Sequence, residues 1–302
     1  MIAPAELAHF SPNLLHDVQA MLQIDFMRRA FLAGTAIALV SGLVGYFVIV
    51  RRLVFSSDVL SHVAFPGALG AIVLGFSPLL GVFGFAVAVA LGMGTLGGRK
   101  KRRDVTTGTI QTWIFGVGAL FLSLYTRGSA RNSAAGVNVL FGSLFGISTR
   151  TVWISVAASL TVIILLAAIA RPLLFASLDP LLATARGVPV RLLDLLFLVL
   201  LAVTTAIAVQ AVGALLIIAL LVTPAAIARR LVVQPFTALL ASALLALIFT
   251  WIGLTLAFYL PYPVSFCVTA VVFVTYVGVV IGQRVRRHTT VRQYRRELVS
   301  TH

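Results

Sequence analysis

From Arg191 to Arg230 the chain runs for about twice the length of one membrane crossing. Between Arg191 and Arg229 its only ionisable side chain is Asp194. One crossing takes ~20 residues. Backbone amides in hydrocarbon must find partners within the segment itself, which leaves helices and closed barrels. Unbroken apolar runs of this length, without period-two alternation, specify helices. The rest of the chain follows suit, being 60% hydrophobic and only 10% charged, where a soluble domain carries about 25% charged residues. The expected fold class is an all-α polytopic membrane protein with eight or nine transmembrane helices and a short cytoplasmic helix.

The apolar segments fall at residues 27–50, 53–74, 79–96, 105–126 and 151–170, then two within 191–230, then 236–259 and 264–282. Val212-Gly213 is the expected break of the long run. Gly34, Ala38 and Gly42 recur every four residues in the first segment, a face suited to close helix contact. Gly75-Phe76-Ser77-Pro78 reads as a tight turn. A short amphipathic helix is expected near Leu14 to Ile24. Residues 127–137 read as a loop, and 138–148 as a re-entrant or interfacial piece, too short to cross. Three regions follow: an extracytoplasmic N-terminal segment (1–26), a transmembrane permease domain (27–283) and a basic tail (284–302), helical at the membrane surface.

The net charge of +15 points to anionic lipid rather than nucleic acid, because basic residues gather in the cytoplasmic loops of membrane proteins. The loops at 51–52, 99–103, 171–191 and 229–230, with the tail, hold eighteen Lys and Arg; the opposite loops hold only Arg28, Arg29, Arg127, Arg131 and Arg150. The eighteen-residue side is expected to be cytoplasmic, with the C-terminus inside and the N-terminus outside a plasma membrane. The only lysines are Lys100 and Lys101, and no G-x-x-x-x-G-K-[ST] motif exists. ATP, if used, is therefore handled by another polypeptide. A single cysteine, Cys267, excludes a disulfide framework within the chain.

Ionisable residues inside a span mark function by default. Of eight acids and five histidines, only Asp58 and His62 fall well inside one. They are one helical turn apart on a shared face, about 7 Å and 13 Å past Leu53 at ~1.5 Å per residue. A carboxylate and an imidazole together suit a divalent transition metal. Pro66, four residues after His62, cannot donate to the His62 carbonyl, so the helix is expected to kink there. Gly67, Gly70 and Ala71 then offer a small-residue surface. An interhelical hydrogen bond, or Asp58 as a helix N-cap, accounts for an acid but not for acid, imidazole and proline together.

Four further features stand out. Asp179 suits an N-cap, Pro180 the first helical position, Arg186 the last turn and Gly187 the residue beyond, around Ala183. The product is a short capped helix outside the membrane, either an ordinary loop helix or a docking element. Asp194 is expected to pair with Arg191, three residues before it. Gln210 is a pore-lining or interhelical polar group. Pro224 frees the Leu220 carbonyl and is expected to break its helix.

These pieces resemble the ABC-3 family, the permease subunits of ATP-binding-cassette importers for manganese, zinc and iron. The resemblance covers roughly residues 28–283. It is carried by R-R-x-x-x-x-S-D-x-L-S-H-x-x-F-P-G at Arg51 to Gly67, V-G-A-L-L-I-I-A-L-L-V-T-P-A-A-I-A-R at Val212 to Arg229, and D-P-x-x-A-x-x-x-G at Asp179 to Gly187. Two departures are Ser57, where the family usually has glycine, and Leu181, where it often has an acid. The resemblance implies a homodimer, a cytoplasmic ATPase on the Asp179–Gly187 helix, an extracytoplasmic metal-binding protein, and Asp58 and His62 as intramembrane ligands for transported Mn2+ or Zn2+. The chain itself would catalyse no covalent chemistry. The Pro-Gly after the histidine looks more like the manganese and iron branches than the zinc branch. Competing readings are a proton- or sodium-coupled secondary transporter with Asp58 as the ion site, and an ABC permease for iron chelates or cobalamin.

Overall fold

The computed structural model describes residues 23–97, 100–128 and 144–300. Among them are eleven α-helices and no strand. They are α1 (Asp25–Val50), α2 (Val54–His62), α3 (Ala64–Val73), α4 (Pro78–Leu96), α5 (Lys100–Gly128), α6 (Thr149–Leu178), α7 (Pro180–Ala185), α8 (Val190–Val212), α9 (Ala214–Leu231), α10 (Pro235–Tyr259) and α11 (Val264–Ser300). Seven of them, α1, α4, α5, α6, α8, α10 and α11, are long and apolar enough to cross a bilayer. The expected second segment is present as the broken pair α2 and α3, and the expected seventh as the 18-residue α9.

Burial ranks the helices. Two thirds (67%) of the most apolar stretches of α1 and α8 is buried, against 17% for α5 and α11. Helix α1 is the axis, packed against α6, α8, α9 and α10. Its small residues make this possible. A Cβ on Gly42 would lie 2.6 Å from the Ala243 Cα, and one on Gly45 would strike the Leu221 carbonyl. A Cβ on Gly34 would come within 3.2 Å of Thr250 and Leu254. The spacing seen in the sequence thus marks the seam with α10, and Gly45 extends it to α9. The Ser242 hydroxyl donates to the Gly42 carbonyl at 2.7 Å across that seam.

Local chemistry sets the junctions. Helix α1 closes with Arg52 at a left-handed φ of 57°. The Leu53 amide returns to the Val48 carbonyl at 2.8 Å and the Arg52 amide to Ile49 at 3.1 Å, a Schellman closure in which arginine takes the place usually given to glycine. The α3–α4 hairpin turns at Gly75 (φ 78°) and restarts with Pro78 at the first helical position. The two helices cross where Gly67 faces Gly81, and Phe121 of α5 covers Gly70. The expected break at Val212-Gly213 is present, with Gly213 at φ 92°. At the far end of the bundle Arg230 and Gln283 clamp α9 to α11: the guanidinium donates to the amide oxygen at 3.2 Å, and the amide nitrogen donates to the Arg230 carbonyl at 3.1 Å.

Several boundaries differ from expectation. Helix α5 begins at Lys100, inside the basic stretch, since lysine and arginine are good helix formers. Helix α6 continues through Arg171 and Pro172 to Leu178, because a proline inside a helix leaves only one carbonyl unbonded and neighbours can accommodate it. The tail is helical, but as a direct extension of α11 to Ser300. Most of the expected 127–137 loop, of the 138–148 segment and of the 14–24 helix lies outside the described residues; α5 continues through Arg127 to Gly128, and Leu144–Gly146 of the second forms a 3-10 turn.

Gly42→Val should destabilise the bundle by about 1–3 kcal/mol, the usual cost of overpacking a close contact. Gly278→Val, at a position with open space around it, should cost less than half of that despite the same change in helix propensity. Thermal unfolding of both variants in detergent checks the contrast.

Candidate metal site

Helix α2 holds three serines on its buried side, Ser56, Ser57 and Ser61. Two of them are satisfied within the helix: Ser57 Oγ donates to the Val54 carbonyl and Ser61 Oγ to the Asp58 carbonyl, both at 2.7 Å. Folding the hydroxyls onto the backbone hides their polarity and leaves a compact face against α8 and α9. Val54, Phe55, Asp58 and His62 form the other face, with the two ionisable side chains 31% and 25% exposed.

Asp58 stands within α2 rather than at its N-cap, so its carboxylate is not spent on helix-start amides. Asp58 Oδ1 and His62 Nε2 are 3.6 Å apart, beyond hydrogen-bond distance. Neither side chain has a hydrogen-bond partner among the described residues. Donors this far apart, each ~2.1 Å from one ion, subtend roughly 120° at it, near the tetrahedral angle. The edge of the His62 ring meets Phe115 of α5, centroids 5.3 Å apart, which holds the imidazole against one wall.

The expected kink is present as a one-residue lapse of the helical hydrogen-bond ladder at Val63, between α2 and α3, where the backbone keeps helical dihedrals (φ −65°, ψ −28°). Pro66 is the third residue of α3, where a missing N–H costs little because first-turn amides have no helical partner. The Gly67 amide bonds to the Val63 carbonyl at 3.0 Å, and the His62 carbonyl receives nothing from position 66. Pro224 behaves differently. It is buried inside α9, which continues through it, so the expected helix break there does not occur. The consequence is local: α9 approaches Gly45 at the Leu221 carbonyl, next to Leu220.

Helix α7 has the ends its sequence specifies. Asp179 Oδ1 accepts from the Leu181 and Leu182 amides at 3.1 and 3.0 Å. Gly187 takes φ 80° and the Val188 amide reaches the Ala183 carbonyl at 3.0 Å. Ala183 is fully buried against the bundle while Leu181 is 86% exposed, so α7 presents an apolar residue outward. Arg186 lies over the Phe175 ring, 5.6 Å from its centroid.

Asp194 pairs with Arg51, not with Arg191. The Arg51 guanidinium also lies 5.5 Å from the centroid of Phe197. This ties the end of α1, just before α2, to the second turn of α8. Sequence spacing missed it because the partners are 143 residues apart; the only signal was a charged residue at each helix end. Gln210 is half-buried, and its amide nitrogen is enclosed without a partner among the described residues. Among the described residues no cluster of three or more His, Cys, Asp or Glu side chains exists. Among the described residues, one chain therefore offers an ion two side-chain donors here.

A bundle of apolar helices with a carboxylate and an imidazole on one face of a kinked helix defines a polytopic all-α membrane protein. The chain belongs to the ABC 3 transport family, whose sequence profile matches residues 23–283. It is a permease, and ATP hydrolysis belongs to a separate chain. The manganese transport system membrane protein MntC of Listeria monocytogenes is 28% identical over 78% of this chain and 85% of its own length. The manganese import system permease protein ScaB of Streptococcus parasanguinis is 28% identical over 90% of this chain and 96% of its own. Among solved structures, PsaBC from Streptococcus pneumoniae in complex with Fab superposes with a TM-score of 0.77 at 24% identity, covering 88% of this chain and 95% of that one, which shows the shared fold. Family membership sets aside the self-sufficient proton- or sodium-coupled transporter.

Asp194→Leu should strip Arg51 of its carboxylate and lower stability by about 1.5–3 kcal/mol, the usual scale for a hydrogen bond to a charged group. Arg51→Asp combined with Asp194→Arg should recover part of that loss. Detergent melting curves of the single and double variants measure both effects.

Proposed function

We propose that this chain is the permease of an ATP-driven importer of divalent transition metal ions, with manganese favoured over zinc. The observation that carries the proposal is the Asp58–His62 pair: two donors 3.6 Å apart, without other hydrogen-bond partners, on a kinked helix among apolar spans. A pathway for iron chelates or cobalamin has no need of such a bare pair. The names of the MntC and ScaB relatives support manganese, as does the Pro66-Gly67 sequence after the histidine.

In this reading two copies of the chain share one pathway, and each contributes one Asp58 and one His62. The four donors would meet the coordination demand that one chain leaves unmet. The side rich in Lys and Arg is cytoplasmic, which puts α7 inside and the N-terminus of α1 outside. Helix α7 docks a cytoplasmic ATPase: Asp179, Pro180, Arg186 and Gly187 set its ends, Ala183 seats it on the bundle and Leu181 faces the partner. A metal-binding protein delivers the ion from the other side. Residues 27–283 form the transmembrane permease domain in this reading, with 1–26 outside and 284–302 as the cytoplasmic tail.

Asp58→Asn removes the charge that attracts a dication, and His62→Ala removes the nitrogen donor. Both variants should reach wild-type abundance, yet metal uptake should fall at least about tenfold, the loss that even an outer-shell partner of a metal ligand produces. His62→Ala should harm zinc uptake more than manganese uptake, because manganese relies more on oxygen donors. Radioactive manganese and zinc uptake at matched protein level tests this; wild-type rates in both variants would assign the pair a structural role only.

Leu182→Pro with Ala183→Gly opposes helix at two adjacent positions of α7. The double variant should insert normally but no longer co-purify with its ATPase. Retention of the ATPase would remove the docking assignment.

A further inference from the structure

A groove of the bundle lies away from α2, where α6 and α10 flank α1. Helices α6 and α10 both pack on α1 and leave a cleft of about 580 Å3 between them. Its floor is α1 from Arg28 to Leu39. Those eleven steps cover about 16 Å at ~1.5 Å per residue, half of a ~30 Å hydrocarbon core. The walls are apolar, with Leu160 and Ile163 of α6 facing Trp251 of α10. The Trp251 indole N–H donates to the Thr35 hydroxyl at 3.0 Å. Its one polar atom is thus satisfied by protein, and its ring offers carbon to the cleft.

At its Arg28 end the cleft shares Arg28, Leu32 and Val156 with a second, more polar cavity of about 460 Å3. Arg29, Trp153, Thr149 and Asp25 complete that cavity. Arg28 pairs with Asp25 at 3.3 Å, whereas Arg29 has no ion pair among the described residues. One positive charge is therefore left over. Trp153 is 66% exposed beside it, the setting of an indole at the headgroup level.

We propose that this composite groove holds one phospholipid with an anionic headgroup, its phosphate at Arg28 and Arg29 and one acyl chain along Phe31 to Leu39. Three observations select this occupant: an apolar cleft one leaflet long, a net positive polar end on the same line, and an indole anchored at the wall. With the charge-based orientation, the leaflet is the extracytoplasmic one. The site is distinct from the Asp58–His62 face, and its test is independent of metal transport.

The full-length permease, purified in mild detergent, is titrated with phosphatidylglycerol and phosphatidylcholine of matched chains, and bound lipid is counted by native mass spectrometry. The wild type should prefer phosphatidylglycerol about fivefold, the equivalent of ~1 kcal/mol for one uncompensated arginine near the surface. Arg28→Ala with Arg29→Ala should abolish the preference while phosphatidylcholine still binds. Ala36→Trp, which fills the cleft floor without touching a charge, should abolish the tight binding of both lipids. Melting curves without added lipid identify any variant that fails to fold; for such a variant Arg29→Gln alone is read instead, with the same expected loss of preference. Equal binding of the two lipids by the wild type, an unchanged preference in the arginine variants, or a wild type that binds neither lipid because protein fills the groove would each overturn the proposal.

Discussion

The bundle depends on backbone-to-backbone packing along α1. Helices in hydrocarbon gain nothing by hiding apolar side chains from lipid, so contact must come from close fit and from hydrogen bonds. Gly42 and Gly45 supply the fit, since any side chain there would meet the Ala243 backbone or the Leu221 carbonyl. Ser242 supplies a hydrogen bond at the same level. With α9 and α10 held this close, α6 and α8 can also reach α1, and the four together create both the core and the cleft between α6 and α10.

Helix α2, which carries the candidate metal site, inherits its position from the end of α1. Arg52 in the left-handed region reverses the chain within two residues. Arg51 then fastens that corner to Asp194 and Phe197 of α8. Helix α2 has only nine residues, too few for a stable helix on its own. Its buried serines and the neighbouring α5, α8 and α9 fix it instead. The polar cost of serines in a membrane helix is small because Ser57 and Ser61 bond to their own backbone. Asp58 and His62 have no such internal partner and stay available to a ligand.

What the sequence makes legible is local. Gly213, Gly75 and the Asp179–Gly187 caps depend on backbone conformations that few other residues adopt, and each appears where the residue type demands. Asp58 and His62 share a face because helical spacing is fixed. Features that need a distant partner could not be read. The Arg51–Asp194 pair is one, and the choice of Arg191 in its place shows how a nearby charge misleads. Proline was over-read at Pro224: α9 passes through it, as α6 passes through Pro172, since a single lost hydrogen bond does not end a helix supported on several sides. At Pro66 the missing N–H leaves the His62 carbonyl without its helical partner, and the ladder lapses for one residue at Val63 while the backbone stays helical.

In the proposed dimer, an Asp58–His62 pair from each copy would also bear on how the pathway releases its cargo. An ion held by four donors from two copies is bound tightly only while both copies present their pairs together. Separating the copies by a few ångström halves the donor set without any rotamer change. Phe115 already confines the His62 ring, and α2 is anchored at Arg51, so the side chains have little freedom of their own. In the proposed importer the variable is therefore the distance between protomers rather than the conformation of the ligands. If a cytoplasmic ATPase docks on α7 as proposed, a physical connection to Asp58 and His62 exists: α7 packs on α6 and α8, α8 carries Asp194, Asp194 holds Arg51, and Arg51 sets the corner from which Asp58 and His62 project.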